Sequence, residues 1–395
     1  MKLRDKAEKV SKAERNLGGF DLLKPLRKLL LALRDESDPK RKLFYDDFVS
    51  LLLLYFFNPT LTSLRGLQAA SGFPSVRRKL GVPRASLGSL SAAQHVFDVD
   101  GLRDVFLQLF DQIPADKGNP RLAELKQIVT VADGTLLKAL PRVAWALWLN
   151  DGQRAAKAHV QFEILKGSAS RVDVTAANTS EREVFRASLE PGRLYVVDSG
   201  YAAFALFQEI LDKGSSFVAR LPTGWNHEIL EERPLTEADR EARVVSDSIV
   251  QLGSSKASAA LKGPVRLVVI EKVDEPSQRM RAERGVRETI VLVTDRLDLP
   301  ADLVAQLYSA RWQIEIFFRW LKCTLGCKHL VAESANGVAL QLYTALIACL
   351  LISLWTGKKP TKRVFEAICL YFQGWADLDD VMATVRRLAP HDNAA

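Results

Sequence analysis

The stretch LYSARWQIEIFFRWLKCTLG, Leu307 to Gly326, carries two patterns at once. Leu303, Leu307, Ile314, Phe317, Phe318, Leu321 and Leu325 recur at spacings of three and four, which predicts an amphipathic helix with one side against a core. At about 100° per residue, Tyr308, Arg311, Glu315, Arg319 and Lys322 gather within an arc of about 80° beside it. A solvated helix face with Arg311–Glu315 and Glu315–Arg319 pairs at i,i+4 would give the same stripe. The helix therefore sets a question about function that the rest of the chain must answer. Trp312 and Trp320 flank the stripe and are expected to pack in the core or at its rim.

The 395 residues are 48% hydrophobic and 26% charged, as in a globular chain with a sizeable core and two or three domains. The formal charge is +8, and residues 1–100, with 18 basic against 11 acidic side chains, hold seven of those charges. Such asymmetry suggests an N-terminal region that faces a polyanion; a merely soluble basic surface is the plain alternative. Four cysteines, Cys323, Cys327, Cys349 and Cys369, fit a reducing cytoplasm. Cys323, Cys327 and His329 lack a second ligand pair at the spacing of a structural zinc site. The start, MKLRDKAEKVSKAERN, has no apolar core of a signal peptide. Residues 334–357 carry no charge, but Asn336, Gly337, Gln341, Thr344 and Ser353 favour a buried core helix over a membrane span.

The first third reads as helices: FDLLKPLRKLLLALRD, YDDFVSLLLLYFF, SLRGLQAASG and DGLRDVFLQLFDQI. Between the last two, SVRRKLGVPRASLGSL (75–90) reads as a basic loop suited to phosphates. From about Lys126 the period shortens. IVTVAD (128–133), AHVQFEIL (158–165), ASRVDVTAA (169–177), RLYVVDSG (193–200) and SSFVARLP (215–222) read as strands. SEREVFRASLE and YAAFALFQEILDKG are helices on either side of RLYVVDSG. Three strands followed by helix, strand, helix, strand make an α/β mixed sheet. Residues 222–296 change character and read as a β-rich insertion with strands VRLVVIEKV and RETIVLVTDR.

Asp133 and Asp198 each close an apolar run and precede Gly134 and Ser199-Gly200. An aspartate after a strand often only starts a turn. With Glu315 on a packed helix, however, three hard oxygen donors stand on rigid elements, a set suited to two Mg²⁺ ions that clamp the attacking and leaving oxygens of a phosphoryl transfer. No Walker loop, HExxH or GxSxG competes, and His95, His159, His227, His329 and His391 are scattered.

In these residues the chain resembles the DDE transposases of the insertion-sequence-4 group. That group's signature of Tyr, two residues, Arg, three residues, Glu, six residues, Lys is met by Tyr308, Arg311, Glu315 and Lys322. VADGT around Asp133 and VVDSGY around Asp198 resemble its two aspartate motifs, in order, and the long gap before Glu315 fits its β-strand insertion. The likeness runs from about residue 60 to 356. It implies an RNase H-like mixed-sheet catalytic core at 121–221 and 297–356, interrupted by the β-rich insertion at 222–296. A helical, basic N-terminal DNA-binding region at 1–120 and a helical C-terminal region at 357–395 complete the layout.

By the same resemblance, Asp133, Asp198 and Glu315 are the catalytic residues and ligands of two Mg²⁺ ions, for which Mn²⁺ can substitute. Tyr308, Arg311 and Lys322 would grip DNA phosphates near the cleaved end. The implied reaction is cut-and-paste transposition: hydrolytic nicking at the element ends, then attack by the freed 3′ hydroxyl. The implied partners are double-stranded DNA, as terminal inverted repeats and target, and a second copy in a homodimeric DNA complex, in a bacterial cytoplasm with no membrane. A catalytically inactive transposase-derived DNA-binding protein and an RNase H-like nuclease are the two competing readings.

Overall fold

Strands that are apolar on both sides must be covered on both sides, and that requirement organises the molecule. The computed structural model describes residues 24–38, 40–116, 119–138, 148–150, 153–253, 261–272, 288–323 and 330–387. Its centre is a sheet built from β1 (Ile128–Lys138), β2 (Trp148–Asn150), β3 (Gln153–Glu163), β4 (Ser168–Ala176), β5 (Arg193–Val197) and β6 (Ser216–Arg220). It is extended by β7 (His227–Glu232), β8 (Val244–Leu252), β9 (Val265–Glu271) and β10 (Thr289–Thr294). The order is β2-β3-β1-β5-β6-β10-β9-β8-β7, with β4 paired to the other edge of β3. β3 runs antiparallel to β1 and β4, whereas β1, β5 and β6 are mutually parallel. The expected mixed sheet is thus present.

The β-rich insertion continues this sheet instead of forming a separate one, because β10 pairs antiparallel with β6 and carries β9, β8 and β7 outward. β7 and β8 were absent from the sequence reading. All six residues of β7 are exposed, so no alternation between wet and dry faces marks it.

Val129, Val131, Leu194, Val196 and Val218 join one apolar cluster; Ala132, Tyr195, Val197, Phe217 and Ala219 join the other. Against the first face pack α11 (Ala301–Ala310), α12 (Trp312–Cys323) and α13 (Ala335–Thr356). Against the second lie α8 (Glu181–Ala187) and α9 (Phe204–Asp212). The helix expected across Leu307 therefore exists as two segments that meet at Arg311, where the Arg311 amide bonds back to Tyr308 O and the Ile314 amide to Arg311 O. These tighter i to i−3 bonds make the turn a short 3₁₀-like step within the run. Leu303, Leu307, Ile314, Phe317, Phe318 and Leu321 are all buried, as their spacing predicts. Trp320 is buried and meets Phe365 edge-on, but Trp312 is 49% exposed and does not join the core.

α13 is apolar and long enough to cross a membrane by length and composition, yet 83% of its most apolar window is buried inside the fold. It forms the post around which α2 (Tyr45–Phe57), α5 (Leu87–Val96) and α6 (Val99–Asp111) gather. Polar links fix the joint: Asn336 Nδ2 donates to Gln94 O and Phe97 O, Arg103 Nε donates to the Tyr343 hydroxyl, and that hydroxyl donates to Val172 O on β4. The segment expected to be a basic loop contains α4 (Pro74–Leu80), directly after α3 (Leu64–Gly72), and the start of α5. Pro74 at the first helical position and Gly81 at φ 68° frame α4. Its Arg77, Arg78 and Lys79 are exposed, so the basic charge survives the correction. α1 (Lys24–Leu31), α7 (Pro120–Ala123) and α10 (Glu237–Glu241) are short, while α14 (Lys362–Phe372) and α15 (Leu378–Arg387) form the expected helical C-terminal region. Most of the zinc candidates, and His391, fall outside the described residues.

Asp47, in the first turn of α2, accepts the Phe44 amide and is only 4% exposed. Burial, only partly offset by that amide, pushes its carboxyl up from 3.8 to about 6. A raised folded value favours the protonated form: the stability it contributes is complete below the unfolded value and is lost as pH rises through about 6. Asp47→Asn, neutral and still an acceptor, should therefore be more stable than wild type at pH 8 by about 1–2 kcal/mol. The gain should vanish near pH 4. Thermal unfolding at pH 4, 6 and 8 checks this, and a gain independent of pH would refute the buried-charge account.

Candidate active site

Side chains of a strand alternate, so Asp133, two residues beyond Val131, faces the α11–α13 layer. It does not close its strand as the sequence suggests. β1 continues five residues to Lys138, with Asp133 opposite Val160 of β3. The parallel register ends with Val131 opposite Val196, and two residues on it sets Asp133, still inside β1, level with Asp198 just beyond β5. Asp198 immediately follows β5 and accepts the Ser199 amide at 2.7 Å, capping the short 3₁₀ turn Ser199–Tyr201.

α11 and α12 supply the other side. The Tyr308 hydroxyl donates to Asp198 Oδ1 at 3.2 Å. Arg311, at the junction of the two helices, reaches two carboxylates: Nη2 donates to Glu315 Oε1 at 2.7 Å, and Nη1 lies 3.6 Å from Asp133 Oδ2. The structure therefore draws Tyr308, Arg311 and Glu315 of the stripe to both aspartates. Lys322 lies on the last turn of α12, half-buried. The i,i+4 pair Arg311–Glu315 expected of a solvated face is present, but Arg311 is 15% exposed and also engages the sheet, which a solvated face does not explain.

The electrostatics follow from this crowding. Burial first, and then the neighbouring charges of Glu181 and Asp198, push the Asp133 carboxyl from 3.8 to about 6, with the Gly134 amide and Arg311 opposing. Burial also raises the Tyr308 hydroxyl, and Asp198 adds to it. For Arg311 burial works against the charge, but Tyr308, Asp198 and Glu315 more than offset it and the guanidinium is raised.

Two further groups were not singled out from sequence. Arg220, the last residue of β6, places Nη1 3.9 Å from Asp198 Oδ1. Glu181, opening α8, lies on the far side of β1: its carboxylate fills the space where a Cβ on Gly134 would stand, at 2.8 Å. Lys157 Nζ at 3.2 Å and the Tyr201 hydroxyl at 3.3 Å hold it there. Gly134 thus lies inside a strand and not in a turn, and its missing side chain leaves room for the Glu181 carboxylate. His159, buried on β3, shares a 2.8 Å hydrogen bond with Thr175 and takes no part in the site.

Carboxylate oxygens from three rigid elements, two of them already balanced by one cation, suit a hard divalent ion by donor type and charge. Among the described residues, no three His, Cys, Asp or Glu side chains stand close enough to hold a metal without rearrangement. The Arg311 guanidinium lies between Asp133 and Glu315 and pairs with both.

A profile of the family described as Transposase DDE domain matches residues 124–351, the span that contains β1 through most of α13. A putative transposase, y4zB, of Sinorhizobium fredii is 27% identical over 63% of this chain and 67% of its own length. A probable transposase for insertion sequence element IS5377 of Geobacillus stearothermophilus is 24% identical over 64% of each. The chain thus spans about two thirds of the length of these relatives. A cryo-EM structure of a piggyBac transposase synaptic complex with hairpin DNA aligns with a TM-score of 0.42 at 11% identity, over 94% of this chain and 83% of that one, too loosely to bear on the site. With its DDE profile lying across the strands and helices that carry Asp133, Asp198 and Glu315, this chain belongs to the transposase DDE domain family.

Proposed function

We propose that the chain is a cut-and-paste DNA transposase of the insertion-sequence-4 type, with an RNase H-like core. The observation that carries this is the meeting of Asp133 and Glu315 at one guanidinium, with Asp198 one strand away and bonded to the tyrosine that opens the Tyr308, Arg311, Glu315, Lys322 signature. The strand order β4-β3-β1-β5-β6, three antiparallel neighbours and then two parallel additions, supports the RNase H-like reading. The relatives named as transposases, one of them for an insertion sequence element, support the activity.

In this reading Asp133, Asp198 and Glu315 hold two Mg²⁺ ions, for which Mn²⁺ can substitute. Bound there, the ions supply the charge that stabilises the attacking and leaving oxygens of phosphoryl transfer. The protein's own part is positional. β1 and β5 fix the two aspartates in register, α12 brings Glu315 across from the helical layer, and Tyr308 orients the Asp198 carboxylate through its hydroxyl. Tyr308, Arg311 and Lys322 bind phosphates of the terminal nucleotides, the arginine through its fork and the lysine as a point charge. The exposed Arg77, Arg78 and Lys79 of α4 extend a basic surface for duplex DNA away from the site. Terminal inverted repeats and target are the DNA partners, and two copies act on a pair of ends.

Asp133→Ala, Asp198→Ala and Glu315→Ala should each lower Mg²⁺-dependent nicking of a duplex bearing the element end by at least about 100-fold. End binding in a mobility-shift assay should persist, since phosphate contacts lie elsewhere. Full cleavage in any one variant would refute the site, and nicking by wild type with no strand joining would favour the nuclease reading. Lys322→Ala, by contrast, should weaken cleavage and joining on a pre-nicked end by about 1–3 kcal/mol, the scale of a charge-assisted hydrogen bond. Its thermal stability should change by less than about 0.5 kcal/mol, and wild-type rates would remove Lys322 from the DNA contacts.

A further inference from the structure

Phosphate-binding arginines serve best with the fork presented outward, yet the Arg311 fork is turned inward. One Nη lies 2.7 Å from Glu315 and the other 3.6 Å from Asp133, with the side chain 15% exposed. Its Nε is buried with no hydrogen-bond partner. A guanidinium cannot shed its charge to escape such burial, and an unsatisfied N–H opposes the placement. What holds it inward is the need of two converging carboxylates for a cation. The 3₁₀-like step at the α11–α12 junction swings the residue toward β1 to meet that need.

We infer that Arg311 competes with a divalent ion for Asp133 and Glu315: its guanidinium lies between the two carboxylates that the reading above assigns to the metal. Loading the site then requires the guanidinium to leave, and leaving turns its fork toward a phosphate. One residue thereby serves both carboxylates and phosphate. The inference rests on the metal-site reading above.

The test uses Mn²⁺ alone, titrated into the full chain without DNA and followed by electron paramagnetic resonance. Arg311→Ala should bind Mn²⁺ about fivefold or more tightly than wild type, and the added Asp133→Ala substitution should abolish the gain. Arg311→Lys, whose single amine cannot span both carboxylates, should fall between, and it carries the test if the alanine variant does not fold. In chelator, Arg311→Ala should unfold at a lower temperature than wild type, and saturating Mn²⁺ should raise its Tm by more than it raises that of wild type. Asp133-dependent Mn²⁺ binding of equal or weaker affinity in Arg311→Ala would overturn the competition while leaving the metal site intact. Absence of Asp133-dependent binding in every variant would instead overturn the metal-site reading itself.

Discussion

The parallel pairing of β1 with β5 is the constraint on which the site depends. It aligns Val131 with Val196 and so sets Asp133 level with Asp198. Parallel neighbours demand a crossover, here supplied by β3, β4 and α8, and the crossover covers the face of the sheet that α11–α13 leave open. A slip of one residue in that pairing would turn one aspartate to the α8 face and separate the pair. The apolar residues preceding each aspartate, divided between two buried clusters, resist that slip because every side chain along the slipped strand would change faces with it.

The helical layers depend on the same sheet. α12 is held by Ile314, Phe317, Phe318 and Leu321, and their burial places Glu315 over β1. α13, uncharged and mostly apolar along its length, is stabilised by being enclosed between the sheet and the N-terminal helices. The Tyr343 hydroxyl ties these layers together through Arg103 on one side and Val172 O on the other. The N-terminal helix that carries Arg103 is therefore bonded to the layers that cover the sheet.

Legibility in the sequence followed the range of the physical cause. Strands with near-continuous apolar runs and the stripe of α12 were readable because period and burial are local properties of a segment. The two aspartates and Glu315 stand out in the sequence because fixed residue types at fixed spacing resemble a known pattern. Asp133 was misplaced at a strand end because Gly134 imitates a turn, whereas β1 runs on through it and the carboxylate of Glu181, 47 residues away in the chain and invisible to local reading, packs against it. Arg220 was missed for the same reason, since its link to Asp198 arises only when β6 pairs with β5. α4, on the other hand, carried its own signals in Pro74 and Gly81, and the weight given to its basic charge hid them.

The charge balance of the site explains why its residues occur as a set. Asp133 is buried enough that its own ionisation is disfavoured, and Asp198 and Glu181 add repulsion to that cost. A sheet interior with several carboxylates and no cation would favour protonation or local opening. Three positive groups answer this in different places: Arg311 between Asp133 and Glu315, Arg220 beside Asp198, and Lys157 against Glu181. Lys157 and Tyr201 keep Glu181 on the α8 side of β1, so its charge is balanced without crossing to the side where Asp133 faces α12. The carboxylates facing α12 are thereby left to Arg311, the one cation of the three that stands at the junction of two helices. Exchange of that cation is consequently the point at which the fold can change the charge of its site without unfolding its sheet.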